Sequence, residues 1–414
     1  IHDFSLQARH GEAVDLKRLR PIFEELFAMV WSGQGENDAF NRLMLSGYMD
    51  HRSINLLRAF ARYMRQIRIS NSQTFIANTL VNHVGLARQL LEFFQVRFDP
   101  AGEQGNDERQ RQQDALEKTF LSGLDSVSNL SEDRVLRLYL QLMKSTLRTN
   151  NYQCDEAGHP KPYVSFKLNP KTIPDMPLPL PMFEIFVYSA QVEGVHLRGG
   201  KVARGGLRWS DRFEDYRTEI LGLVKAQQVK NAVIVPVGAK GGFVAKRLPD
   251  GSDREAFQKA GIAAYKTFIR GLLDVTDNLK DGAIVPPRQV VRHDPDDHYL
   301  VVAADKGTAT FSDIANSLSA EYDFWMGDAF ASGGSQGYDH KKMGITARGA
   351  WVCVERHFRE LGINPAEDAF TAIGIGDMAG DVFGNGLLRS DKTRLVAAFN
   401  HLHIFIDPEP DAAA

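Results

Sequence analysis

Cysteine is nearly absent: Cys154 and Cys353 are the two thiols among 414 residues. That excludes a disulfide framework and points to reduced cysteines in a cytoplasmic protein. No apolar run approaches the roughly 20 residues that cross a bilayer as a helix. The opening stretch, IHDFSLQARHGE, is polar and is not a signal peptide. Net charge is also small, −3, which gives no reason to expect nucleic acid or an anionic membrane as a partner. What is present is ordinary for a globular chain, with 43% apolar residues and enough length for two or three domains. The chain begins with Ile1 and stops at DPEPDAAA, just after an apolar run. A piece cut from a longer protein at both ends is the expectation.

Residues 12 to about 150 read as helical. Leu16, Leu19, Ile22, Phe23, Leu26 and Val30 recur at helical spacing, as do Ile54, Leu57, Phe60, Ala61 and Met64. Arginines on the other side of the second pattern, with acids beside them, read as a solvated face. Further helices fit 72–97, 108–124 and 132–149. From about 150 the pattern changes to short β-branched or aromatic runs alternating with helices, the grammar of an α/β domain. Strands fit 163–168, 183–189, 192–198, 232–237 and 299–305; helices fit 214–230, 254–273, 313–320 and 346–361. A second α/β unit opens near 369 with the run AFTAIGIG, and LVAAFNHLHIFID contains its next strand. The expected fold class is α/β in three parts: a helical segment (1–150), an α/β substrate domain (151–345), and a connecting helix with the opening βαβ of a dinucleotide-binding unit (346–414).

Five motifs offer chemistry. In Ala203-Arg204-Gly205-Gly206-Leu207-Arg208, adjacent glycines let backbone approach a ligand while cations flank it, which suits a carboxylate. An ordinary glycine-rich turn with solvated arginines is the competing reading. In Val237-Gly238-Ala239-Lys240-Gly241-Gly242, a lysine follows the apolar run AVIV among small residues. That places it in a loop at a strand's C-terminal end, where α/β sheets bind ligands. Partial burial there would lower its pKa and suit amine or carbonyl chemistry. The spacing is not that of a phosphate-binding P-loop. In Ala303-Ala304-Asp305-Lys306-Gly307, an acid ends another β-run and is placed to move protons, or simply to form a turn. The glycine-rich run Ser332–Gly337 reads as a functional loop or a hinge.

The fifth motif, Gly374-Ile375-Gly376-Asp377-Met378-Ala379, matches the G-x-G-x-x-A dinucleotide fingerprint between a strand and a helix. Asp407 follows the next strand, where an acid receives the ribose 2′-hydroxyl and favours NAD; its spacing requires an insertion. His401 and His403 read as alternate residues on one strand face. No third ligand is evident, so no metal is expected.

Taken in order, ARGGLRW, VGAKGG, AADKGT, SGGSQG and GIGDMAG resemble the motif series of the glutamate dehydrogenase superfamily. The wording GGLRWSDRFEDYRTEILGLVKAQ and GIGDMAGDVFGNGLL is similar to the large NAD-specific glutamate dehydrogenases of bacteria. The resemblance is strong over about 180–414, and 1–180 is similar to the helical segment that precedes the core in that group. It implies a substrate domain of the dimerisation type, an incomplete Rossmann domain, a cytoplasmic homo-oligomer, NAD as cofactor, and L-glutamate and 2-oxoglutarate as substrate and product.

Carried over by position, the resemblance makes Lys240 the catalytic lysine and Asp305 the proton donor and acceptor. Arg204, with Gly205 and Gly206, would meet the substrate's side-chain carboxylate. Lys230 would bind the α-carboxylate if a two-residue gap precedes VGAKGG. Without the gap Gln228 falls there, and the role passes to another cation such as Arg208 or Lys225. Gly374, Gly376, Ala379 and Asp407 would hold the dinucleotide. The alternatives are a dehydrogenase of another L-amino acid and a non-catalytic regulatory or assembly module of the same fold. A pyridoxal-phosphate enzyme using Lys240 ranks below both.

Overall fold

Helical periodicity at the start of the chain becomes a layer of helices in the computed structural model, which describes residues 15–102, 105–230, 237–304, 310–337, 340–376, 380–400 and 402–412. The described helices of this layer are α1 (Leu16–Trp31), α2 (Leu43–Gly47), α3 (His51–Gln66), α4 (Gln73–Asn82), α5 (Val84–Phe98), α6 (Asn106–Gly123) and α7 (Leu130–Ser145). Side chains cap several of them. Asp50 accepts from the Ser53 amide and Asn129 from the amides of Ser131 and Glu132, satisfying donors that a helix start leaves free. Two expectations change here. The helix expected over 72–97 breaks at His83, whose ring meets Glu132 of α7 at 2.9 Å. The helix expected to reach 149 stops at Ser145, because Thr146–Thr149 pairs as strand β1 with the next strand, β2 (Val164–Leu168).

The arginine face of α3 is not solvated either. Arg58 is fully buried, with its guanidinium on Asp38 at 2.8 Å and over the Phe40 ring. Arg62 meets Glu36 at 2.6 Å. Charge composition alone cannot distinguish a solvated arginine from one paired under a loop.

The remaining described strands of the large sheet are β3 (Phe183–Tyr188), β4 (Val192–Arg198), β5 (Gly206–Trp209), β6 (Ala239–Ala245) and β9 (Ala303–Ala304). The order across the sheet is β1-β2-β3-β4-β6-β5-β9. Neighbours from β1 to β6 run antiparallel, whereas β5 is parallel to both β6 and β9. Helix α8 (Tyr216–Lys230) joins β5 to β6, and α9 (Arg254–Leu273) follows β6. A small hairpin, β7 (Asn278–Lys280) and β8 (Ala283–Val285), precedes β9, and α10 (Ser312–Glu321) follows it.

Because side chains alternate along a strand, each face of the sheet builds its own core. One face carries Phe166, Phe186, Val195, Leu197 and Val244 against α1–α7 and α8. There Phe60 of α3 stacks on Phe166 at 4.2 Å. The other face carries Ile185, Val187, Leu207 and Phe243 against α9 and α10. The helical segment and the sheet thus share one core.

The chain divides into two units between Gly334 and Ser335, inside the glycine-rich run Ser332–Gly337. The second unit holds α11 (His340–Met343), α12 (Ile345–Glu360) and a three-stranded sheet of β10 (Phe370–Ile375), β11 (Thr393–Phe399) and β12 (Ile404–Ile406). β10 and β11 are parallel, with a π-helical turn at Asp381–Asn385 between them; β12 is antiparallel to β11. No described helix is long and apolar enough to cross a membrane.

Candidate active site

The Lys240 segment is not the loop its glycines suggest. Lys240 is the second residue of β6, a strand that runs straight through Gly241 and Gly242. Those glycines serve close packing rather than a turn. A Cβ on Gly241 would lie 2.4 Å from Leu207, and one on Gly242 would lie 2.4 Å from Ile220 of α8. The lysine therefore stands at the beginning of a strand, not at the end of the apolar run before it. That run, 231–236, lies outside the described residues.

Register fixes what surrounds Lys240. Leu197 of β4 pairs with it on one side. On the other, Arg204 is level with Gly238 and Leu207 with Gly241, so Gly206 is level with Lys240. Gly206 in turn pairs with Ala303 of β9. Residues level with one another point to the same face. Beside the half-exposed Lys240 the sheet therefore carries no side chain at Gly206 and a methyl at Ala303. Two residues to either side of Gly206, on that same face, are Arg204 and Arg208.

The two arginines differ in their ties. Arg204 is held by its backbone: its carbonyl accepts from the Ala239 amide at 3.0 Å and from Gln227 Nε2 at 2.9 Å. Its side chain is exposed. Gly205 allows this seat, since a Cβ there would lie 1.3 Å from the Ala239 carbonyl oxygen. Arg208 is half-buried and paired with Glu219 of α8 at 2.8 Å; Glu219 also accepts from Ser210 Oγ at 2.7 Å. Burial raises the Glu219 pKa, but the bonds from Arg208 and Ser210 outweigh it and hold the carboxyl below its usual range. Arg208 is thus largely neutralised, while Arg204 is available to an anion.

Gln227, which no motif singled out, is the glutamine that fastens α8 to the Arg204 carbonyl. Its nearest sequence signal is its place three residues before Lys230 on the same helix. Lys230 is the last residue of α8, and Lys225 is exposed on it. Asp305 directly follows β9 in sequence and lies outside the described residues, as does Ala379.

In the second unit, Gly374 lies near the end of β10 and Gly376 directly follows it. A Cβ on Gly374 would lie 1.5 Å from the Phe383 ring, so glycine there lets the π-helical turn pack on the strand. Gly376 has φ +134°, open to glycine and strained for other residues, and its amide donates to the Phe399 carbonyl at 3.0 Å. A glycine turn at the C-terminal end of a parallel strand, leading towards a helical turn, fits the pyrophosphate end of a dinucleotide. Asp407 does not sit where expected. It follows β12, which turns back along β11, and its amide donates to the Val396 carbonyl at 2.9 Å. Asn400, not Asp407, stands at the C-terminal edge of β11 next to Gly376. A hairpin took the place of a simple strand end. His403 lies in that hairpin's turn rather than on a strand, and His401 is outside the described residues. No group of three potential ligands is arranged to hold a metal among the described residues.

Residues 119–414 match the family model described as the bacterial NAD-glutamate dehydrogenase catalytic domain. Residues 35–100 match glutamate dehydrogenase helical motif 3. The chain is 62% identical over its full length to an NAD-specific glutamate dehydrogenase of Halomonas elongata, covering 25% of that protein. It is 63% identical to one of Pseudomonas aeruginosa, again over its full length and covering 26% of that protein. A third, of Mycobacterium tuberculosis, is 54% identical over 94% of the chain and 24% of that protein. The chain thus spans about a quarter of the length of the curated relatives it matches. Among solved structures, the hetero-hexameric glutamate dehydrogenase from Thermus thermophilus in its Leu bound form is similar at a TM-score of 0.35 and 17% identity, over 72% of this chain and 60% of that one. The order of motifs, the lysine-centred sheet edge and the family match over most of the chain agree: the chain belongs to the bacterial NAD-glutamate dehydrogenase catalytic domain family.

Proposed function

We propose that this chain is the catalytic part of a longer enzyme that oxidatively deaminates L-glutamate to 2-oxoglutarate and ammonium with NAD. The observation that carries this reading is the gap over Gly206, bordered by Lys240 and the exposed Arg204. Glutamate brings two carboxylates and an amine, and the gap sets two cations beside a position, Gly206, that carries no side chain. Arg204 receives the side-chain carboxylate. Lys230 receives the α-carboxylate, and the engagement of Arg208 by Glu219 supports leaving that role to Lys230. Bound NAD would supply the acceptor for the hydride that leaves the substrate's α-carbon. Gly374 and Gly376, with Ala379, give its pyrophosphate a backbone approach.

The chain's own residues then handle water and protons. Lys240 promotes addition of water to the substrate iminium, and Asp305 moves protons to and from the leaving amine. Cations fixed in advance around developing charge lower the barrier without reorganising during the reaction. The protein works in the cytoplasm as a homo-oligomer.

The competing reading is a dehydrogenase of an apolar amino acid. Arg204 decides between them. Arg204→Gln in the full-length protein is expected to lower kcat/KM for glutamate about 100-fold or more, the loss of a charged contact of about 3 kcal/mol. Turnover of norvaline, which lacks that carboxylate, should change less than about threefold. Equal losses on both substrates contradict the assignment.

A further inference from the structure

The face of the sheet opposite Lys240 carries a buried ionic cluster that the reaction itself does not use. Arg148 of β1, Lys167 of β2 and Arg198 of β4 point into it, with side chains at most 2% exposed. Their partners flank the β7–β8 hairpin: Asp277 just before β7, and Asp294 and Asp297 between β8 and β9. Arg148 meets Asp277 at 2.8 Å and Asp294 at 2.6 Å. Lys167 meets Asp294 and Asp297, each at 2.5 Å. Three buried cations face three buried carboxylates, and the partly exposed Arg292 adds a further contact to Asp277 at 3.3 Å.

Arg198 is placed differently from the other two. It stands at the strand end that Lys240 occupies, paired with Ala239, the residue before Lys240. Its guanidinium grips Asp297 with both Nη1 and Nη2. Nη1 also donates to the Tyr299 carbonyl at 2.6 Å and to the Lys201 carbonyl at 3.4 Å. Asp297 and Tyr299 precede the buried run Leu300–Val302 that leads into β9. Lys201 lies in the connection that becomes Arg204-Gly205-Gly206. One guanidinium therefore ties both segments that flank β5, from beneath, without reaching the substrate face. Burial raises the Asp297 pKa, but Arg198 and Lys167 outweigh it and keep the carboxyl ionised well below its usual range.

We infer that Arg198 is a positioning residue for the reaction: through Asp297, the Tyr299 carbonyl and the Lys201 carbonyl it sets the separation of the Arg204 segment and β9 across the gap beside Lys240. The inference rests on the proposed function, which assigns the chemistry to that gap. Lysine at this position keeps the charge but gathers its three donors on one nitrogen, so it cannot span Asp297 and the two carbonyls as the planar fork does. Displacements near 1 Å at a reacting centre cost up to about 100-fold in rate.

The test uses the full-length protein and two variants. Arg198→Lys should fold, because Asp297 retains Lys167. Arg58→Lys alters a comparably buried arginine, paired with the partly exposed Asp38 in the helical layer. The expected result for Arg198→Lys is a fall in kcat for glutamate of about tenfold or more. NAD affinity should stay unchanged, and amide exchange should rise within 199–206 and 297–304. Arg58→Lys should lower the thermal midpoint while leaving kcat within about twofold. Parent-like kcat in Arg198→Lys overturns the inference, as does a loss in both variants that merely follows their thermal midpoints. An Arg198→Lys protein that fails to fold is replaced by Asp297→Asn, read by the same kcat and exchange criteria. A folded parent that binds NAD but does not oxidise glutamate overturns the proposed function instead.

Discussion

His293 shows how a single residue's surroundings set a property of the whole chain. Burial, then the neighbouring Arg97 guanidinium, depress its pKa to about 4. Its ring stands edge-on to Phe98, with Nε2 at 3.1 Å from the Arg97 carbonyl. In the unfolded chain the same imidazole titrates near 6.5. Between those two values the unfolded state binds a proton that the folded state does not, so stability falls as pH drops through the window and is flat above it. The contribution of His293 is about 2 kcal/mol lost by pH 5. His196, fully buried and pushed down to about 3 by burial and then Arg198, acts in the same direction. Urea unfolding at pH 7 and pH 5 should show that loss, and His293→Gln should reduce it. A pH-independent midpoint, or one that rises on acidification, contradicts this account.

At the scale of elements, most of the secondary structure was legible and its exceptions have physical causes. Helix α9 and strands β3 and β4 follow directly from apolar spacing, because they bury one stripe or two faces without special chemistry. The strand at Ala239–Ala245 was not legible. Two glycines read as a loop, and only Leu207 and Ile220, distant in sequence, show why glycine is needed there. Motif order singles out Arg204 and Lys240 as candidates, whereas no motif points to Gln227 or Arg198. Their roles depend on carbonyls far along the chain, and no local pattern encodes such a partner. Gly205 tests the docking of β5 on β6. A methyl group there collides with backbone rather than with a movable side chain. Gly205→Ala should therefore break the Arg204–Gly238 bridge and destabilise the first unit by about 3 kcal/mol, the upper end of ordinary overpacking. Denaturant titration measures it. A change under about 0.5 kcal/mol would show that the close approach is not needed.

For the whole molecule, the three layers of the first unit give the sheet edge rigidity from both faces. Ion pairs reinforce each layer: Arg217 of α8 grips the buried Glu184 of β3 through two bonds of 2.7 Å on the face of Lys240, and the Arg148–Lys167–Arg198 cluster lies on the other. Breaking such buried pairs from one side is costly, which favours a single arrangement of the strands that border the gap. The second unit brings its glycine turn on a separate sheet. In the proposed function this scaffold serves a lysine-dependent oxidation of glutamate by NAD. The most direct measurement is NADH formation, followed by its absorbance, from L-glutamate and NAD in the full-length protein and its Lys240→Ala variant. The account predicts turnover in the parent and, in a folded variant that still binds NAD, a loss of about 1000-fold or more, typical of removing a group that acts in the transition state. Turnover retained in the variant, or none in a folded parent that binds NAD, contradicts it.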